Sequence, residues 1–197
     1  MVKVSKKYHD IITTAKDLFW KHGFKRVTVE EICLKANVSK MTFYKHFANK
    51  TELEIQIIKN MFDENMKKFN EMMLSDISFE EKMKLQVKMK LEGTKNISEE
   101  FVKDVYGDTG SEVQKYWEKR TNEAIVIVIN HYREAQKNGW LRKDIKIDFI
   151  LYVINKFFDF ANDDFLIAKY NTMQDLIVEI NKFFLYGILP YEKMPDE

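Results

Sequence analysis

The sequence predicts an all-α protein, and three observations carry that prediction. Apolar residues recur at the helical spacing i, i+3, i+4 in one segment after another. The two prolines both lie at the C-terminal end, and only six glycines interrupt the 197 residues. The apolar content is ample for one large domain, or for a small one joined to a medium one.

The first helix places Tyr8, Ile11, Ile12, Ala15, Leu18 and Phe19 on one face. It stops at Gly23, with Phe24 and Val27 apolar beyond it. Thr28 and Glu31 have capping-box spacing, so a helix starts at Thr28, with the carboxylate expected to return to the cap amide. Val29, Ile32 and Ala36 share its inner face, and the small Cys33 sits where a second helix must cross closely. Asn37 tolerates the left-handed conformation that ends a helix, and Ser39 is a good cap for the next one, which runs to about Phe47. In that helix Phe43 and Phe47 point inward. Met41, Tyr44 and Lys45 lie roughly 130° around the axis, at about 100° per residue. Two short helices joined by a tight turn, the second with an aromatic and basic outer face, make a DNA-reading device. Asn49 and Glu52 repeat the capping-box spacing and start a helix to about Leu74.

Two more helices are predicted over Phe79–Leu91 and Glu99–Tyr106, separated by residues 92–98. The segment from Gly107 to Gly110 breaks the chain, Ser111 and Gln114 offer another capping box, and a long helix follows to Lys137, ending at Asn138 and Gly139. After a link over residues 139–145, one helix is predicted from Asp148 to about Lys169 and a last one from Thr172 to about Gly187. Both are apolar on more than one face, through Phe149, Ile150, Val153, Ile154, Phe157, Phe158, Phe160 and Phe165 in the first, and Leu176, Ile177, Ile180, Phe183 and Phe184 in the second. A helix apolar over more than one stripe is buried on two sides. The second side meets either the interior of a monomer or another subunit.

Charge is segregated along the chain. Residues 1–50 hold eleven Lys and Arg against four Asp and Glu, a net +7, and the rest hold twenty-one against twenty-seven, a net −6. The basic end is the end that carries the two short helices, as nucleic-acid binding requires. A single cysteine excludes an internal disulfide and a Cys-based zinc site. His9, His22, His46 and His131 are scattered at no metal-ligand spacing, so no metal and no cofactor is expected. No nucleophile with a base, phosphate loop or metal constellation points to an enzyme. The triplet Asp108-Thr109-Gly110, known from aspartic proteases, has helices around it and no second copy. Asp163 and Asp164 read as a solvated pair, with a cationic-ligand role as the alternative. No apolar run is long enough to span a membrane, and the N-terminus lacks the apolar core of a signal peptide, which predicts a cytoplasmic protein.

The segment from Ile11 to Leu53, IITTAKDLFWKHGFKRVTVEEICLKANVSKMTFYKHFANKTEL, resembles the DNA-binding domain of the tetracycline-repressor (TetR) family. The resemblance covers about a quarter of the chain. It departs from the family pattern at Cys33, where Ala is usual, and at Asn37, where Gly is usual, and both changes are sterically mild. It implies a helix-turn-helix domain over residues 1–50 and a helical ligand-binding and dimerisation domain over residues 51–197. By position, Thr28 is expected to bind a phosphate, and Tyr44, His46 and Lys50 to hold the DNA backbone. Ser39 caps the reading helix, and Lys40, Met41, Thr42 and Lys45 meet bases or nearby phosphates. The implied protein is a homodimeric transcriptional regulator, most simply a repressor, that binds a palindromic double-stranded operator and is released by a small molecule. Phe101, Tyr106, Tyr116, Trp117, Tyr132 and Phe157 are candidates for the effector site. Phe157, Phe158, Ile180, Phe183 and Phe184 are candidates for a dimer interface formed as a four-helix bundle. The alternative is a ligand-binding or interaction protein of the same fold that does not bind an operator.

Overall fold

The computed structural model describes residues 5–107, 110–161 and 163–190, with the side chains of Phe158 and Ala161 outside that description. Asp108 and Thr109 of the protease-like triplet also lie outside it. The described residues form ten helices and no strand: α1 (Lys6–His22), α2 (Val29–Lys35), α3 (Lys40–His46), α4 (Lys50–Leu74), α5 (Phe79–Gly93), α6 (Glu99–Tyr106), α7 (Glu112–Lys137), α8 (Ile147–Ala161), α9 (Asp164–Ile167) and α10 (Met173–Gly187). They group into two compact units, Met1–Phe62 with Asn96–Lys119, and Asp63–Lys95 with Arg120–Glu197. The first unit therefore holds more than the expected reading domain. It continues past residue 50 into α4 and takes in α6 and the start of α7.

Capping side chains set most of the helix starts. Ser5, Thr28, Ser39, Ser78, Ser98, Asp163 and Thr172 each accept a hydrogen bond from the amide three residues on. The full reciprocal box forms at Ser78 and Glu81. At Thr28 only half of the predicted box forms, because Glu31 pairs with Lys35 one turn along, 3.3 Å away. At Asn49 and Ser111 the returning side chain overshoots by one residue: Glu52 accepts from the Ala48 amide at 2.6 Å, and Gln114 from the Gly110 amide at 2.8 Å. Asn37 adopts the left-handed conformation, with φ of 51°, and the Val38 amide reaches back to the Cys33 carbonyl at 3.0 Å, closing α2.

The core of the first unit joins Ile11, Ala15, Leu18 and Phe19 of α1 to Ile32, Cys33, Phe43, Phe47, Leu53, Ile57 and Ile58, and extends to Phe101, Val105 and Val113. Phe101 lies against Trp20 and Phe24, with ring centroids 4.4 and 5.1 Å apart. Below the corner between α1 and α2 the approach is close: Gly23 has φ of 77°, and a Cβ there would stand 2.5 Å from an Asp104 carboxylate oxygen. That oxygen accepts from the Lys25 amide at 2.9 Å, and the Ser98 amide donates to the Trp20 carbonyl at 3.0 Å. Glycine is required at residue 23 on both counts.

In the second unit, Phe79, Met83 and Val87 of α5 pack with Ile129, Tyr132 and Ala135 of α7, Ile150 of α8, and Val178, Phe184 and Leu185 of α10. The buried Tyr132 hydroxyl donates to Gln86 at 3.0 Å. The helix predicted over residues 148–169 is broken. α8 ends at Ala161, and the Asp163 carboxylate caps the single turn of α9 by accepting from the Leu166 amide at 3.1 Å. Asp163 is thus occupied as a cap. Phe184 is also turned inward, 8% exposed and edge-on to Phe157 at 5.1 Å, whereas Phe183 is 84% exposed. One position along a helix is a turn of about 100°, so neighbouring phenylalanines take opposite sides. α8 exposes Phe149, Tyr152 and Phe160 while burying Ile150.

The role of Phe101 is directly measurable. Phe101→Ala removes a ring buried between Trp20 and Phe24 and should destabilise the first unit by about 3 kcal/mol. Denaturant unfolding would detect this, and a loss below about 1 kcal/mol would contradict the packing described.

Candidate nucleic-acid interface

α3 is seven residues long, too short to persist alone, and it is fixed by Phe43, which is fully buried, and by Phe47 at its C-cap. Its cap is built from Ser39, whose hydroxyl accepts from the Thr42 amide at 3.1 Å and lies 3.0 Å from the Thr42 hydroxyl. With the two rings inside, Lys40, Met41, Tyr44 and Lys45 are outside. Met41 is 82% exposed and Tyr44 is 55% exposed, and the Tyr44 ring stands edge-on to Phe43 at 5.3 Å. Thr28 is exposed at the start of α2, its hydroxyl accepting from the Glu31 amide at 3.1 Å. These side chains form a surface of two donors of positive charge, one phenol and one flexible apolar chain. Such a set can hold phosphate oxygens and reach base edges in a major groove.

Two expected contacts are placed differently. His46 turns toward α1, where its Nε2 lies 3.3 Å from the Ser5 hydroxyl and its ring meets Tyr8 edge-on at 5.7 Å. Lys50 is half-buried and bonded within the protein: its ammonium donates to the carbonyls of Phe24 and Val27, at 2.7 and 3.0 Å, and lies 3.5 Å from the Glu54 carboxylate. An ammonium has three donors, and these three partners use them. Lys50 is therefore a staple between α4 and the α1–α2 corner. The resemblance places it at a phosphate; in this structure its ammonium is directed to Phe24, Val27 and Glu54. Glu54 is buried beside it, and that burial pushes the carboxyl up to about 7 against the pull of Lys50, with the charge of Asp104 pushing the same way.

Glu30 joins the outer face without having been singled out from the sequence. Its carboxylate is paired with the Lys40 ammonium, which holds Lys40 above and Glu30 below their ordinary values. Ten residues separate the two, so only the crossing of α2 and α3 reveals the pair.

The candidate effector residues fall into two groups. Trp117 meets Phe62, Tyr106 and Phe101 in the first unit, at centroid distances of 5.1, 5.8 and 6.0 Å, and Tyr116 packs against the same core. Tyr132 and Phe157 both meet Phe184 in the second unit. Phe101 is accounted for as core of the reading unit.

An exposed basic and aromatic helix, positioned by a second short helix across a tight turn, defines a helix-turn-helix DNA-binding protein. Residues 11–57 match the family model described as bacterial regulatory proteins, tetR family. Among solved structures, the chain is similar to the regulatory protein TetR from Rhodobacter sphaeroides, with 18% identity over 94% of this chain and 100% of that one, at a TM-score of 0.75. It is also similar to a putative fatty acid metabolism regulator of Clostridium perfringens, at 24% identity, 92% and 99% coverage and a TM-score of 0.64. A third is the transcriptional regulator FadR from Bacillus subtilis in complex with stearoyl-CoA, at 15% identity, 92% and 99% coverage and a TM-score of 0.62. No curated protein matches the sequence. Residues 11–57 therefore match the DNA-binding domain of TetR-family bacterial regulatory proteins, and the whole chain shares the fold of solved TetR-family regulators.

The Lys50 staple predicts a stability effect. Lys50→Ala leaves two carbonyls without their donor and a buried carboxyl without its counter-charge, and should cost roughly 2–4 kcal/mol. The raised Glu54 predicts a pH effect. Its folded value of about 7 stands above the ordinary 4.5, so its contribution is complete below about pH 4.5 and is lost as the pH rises through about 7. Unfolding at pH 5 and pH 8 should show Glu54→Gln to be less pH-dependent than the natural protein by roughly 2–3 kcal/mol. Parallel pH profiles would rule this out.

Proposed function

We propose that the protein is a ligand-responsive repressor that binds a palindromic operator as a homodimer and leaves it when a small molecule binds the helical body. The observation that carries this reading is the outward face of α3, where Lys40, Met41, Tyr44 and Lys45 are exposed together. Thr28 and Tyr44 are the remaining candidates for contacts to the DNA backbone. Two such heads suit successive major grooves when they are about 34–36 Å apart.

Dimerisation is supported by the surface of the second unit. Phe149, Tyr152 and Phe160 of α8 and Phe183 of α10 are all exposed, and large apolar side chains gathered on two helices call for a partner. Phe157 and Ile180 are half-buried, and Phe183 is the outward ring for which a second subunit supplies cover. The neighbours named for fatty acid metabolism and for stearoyl-CoA make apolar acyl compounds the first effectors to try. A coupling of about 1–3 kcal/mol between effector and operator would give up to a hundredfold release, and operator would weaken effector binding by the same factor.

Phe183→Glu places a charge on the exposed stripe and should yield folded monomers whose operator affinity is at least ~10-fold lower. Sedimentation combined with a mobility shift on DNA upstream of the gene, or on sites selected from random duplex, makes the measurement. A natural protein that stays monomeric at micromolar concentration would end the dimer reading. Failure to shift any DNA would favour a ligand-binding protein of the same fold.

A further inference from the structure

Glu30 puts a negative charge on a surface that meets a polyanion. It is the second residue of α2, it is exposed, and it shares the outer face with Lys40, Met41, Tyr44 and Lys45. An exposed ion pair adds little to folding stability, and a carboxylate in the first turn of α2 gains modestly from the helix dipole, but neither calls for a lysine partner on the next helix. Its partner is the first residue of α3, Lys40, and the pair bridges the two helices of the reading device.

A lysine alone is a flexible point charge that accepts any nearby oxygen, and on DNA the nearest oxygens belong to phosphates. Tied to Glu30, the ammonium is placed, keeps two donors, and stands beside a carboxylate that phosphates repel. The pair is thus steered to base edges. In the major groove a G·C pair offers two acceptors, guanine N7 and O6, followed by a donor, cytosine N4. An A·T pair offers an acceptor, a donor and then an acceptor. An ammonium next to a carboxylate supplies donors followed by an acceptor, which matches G·C. Against A·T the ammonium meets the adenine amino group and the carboxylate meets thymine O4.

Resting on the operator-binding reading above, we infer that Glu30 and Lys40 recognise one G·C base pair as a unit in each half-site. Lys40 donates to guanine, and Glu30 positions Lys40 and accepts from cytosine N4.

The test is site selection from random duplex with the full chain in five forms: natural, Glu30→Gln, Lys40→Met, the double variant and Lys40→Arg. Affinities are then measured on the selected site with single base-pair changes. The natural protein should select a symmetric pair of G·C positions, and exchange to A·T there should weaken binding ~10-fold. 7-Deazaguanine at that position should weaken the natural protein and leave Lys40→Met unaffected. Glu30→Gln and Lys40→Met should each lose discrimination at that same position, the double variant should lose no more, and the conservative Lys40→Arg should retain it. A merely structural role would not confine the loss to one base pair. Two results would overturn the inference alone: variants that relax different positions additively, or Glu30→Gln tightening all DNA alike with no change in preference. A natural protein that enriches no site at all would overturn the operator-binding reading and this inference with it.

Discussion

The structure depends on the burial of Phe43 and Phe47. A seven-residue helix has little stability of its own, so α3 exists where it does because these rings complete the core formed by α1, α2 and the start of α4. Tyr8 stacks on Phe47 at 5.2 Å and adds to that anchorage. Helical geometry then decides the rest. With Phe43 and Phe47 fixed inward, Lys40, Met41, Tyr44 and Lys45 have no direction left but outward, and the face proposed to read DNA is the complement of the face that folds the head.

A second constraint acts on the corner between α1 and α2. Asp104 of α6 accepts from the Lys25 amide, and Lys50 of α4 donates to the carbonyls of Phe24 and Val27. The corner is therefore held by an acceptor on one element and a donor on another, with Gly23 giving α6 room to approach. A displacement of α6 would move a group bonded directly to the segment that sets the start of α2. The Lys25–Asp104 bond thus ties α6 to the segment that precedes α2.

Much of this was legible in the sequence, because helix starts and stops are local. Ser39, Asn37 and Asn49 announced the reading helices through capping chemistry, and the structure uses each as expected. What the sequence did not show was non-local or depended on rotation about a helix axis. Position in a motif put Lys50 on DNA, whereas carbonyls more than twenty residues earlier in the chain hold it inside. Aromatic content put Phe101 in an effector site, whereas α6 brings it under α1. Phe183 and Phe184 are indistinguishable by composition, and only the register of α10 separates the exposed ring from the buried one. Asp163 reads from the sequence as one of a solvated pair within a continuous helix, whereas after the break that follows α8 it caps α9. The pairing of Glu30 with Lys40 left no trace in spacing, since it arises where two helices cross.

The central claim is that the outward side of α3 reads DNA while Lys50 serves the fold. Reductive methylation of lysines, followed by mass spectrometry with and without a selected operator, tests both halves at once. Lys45 should react readily in the free protein, and Lys40 more slowly because Glu30 holds its proton; both should be protected on the operator, while Lys50 should be slow in both states. Undiminished reactivity of Lys40 and Lys45 on bound operator, with protection appearing at Lys50, would contradict the account.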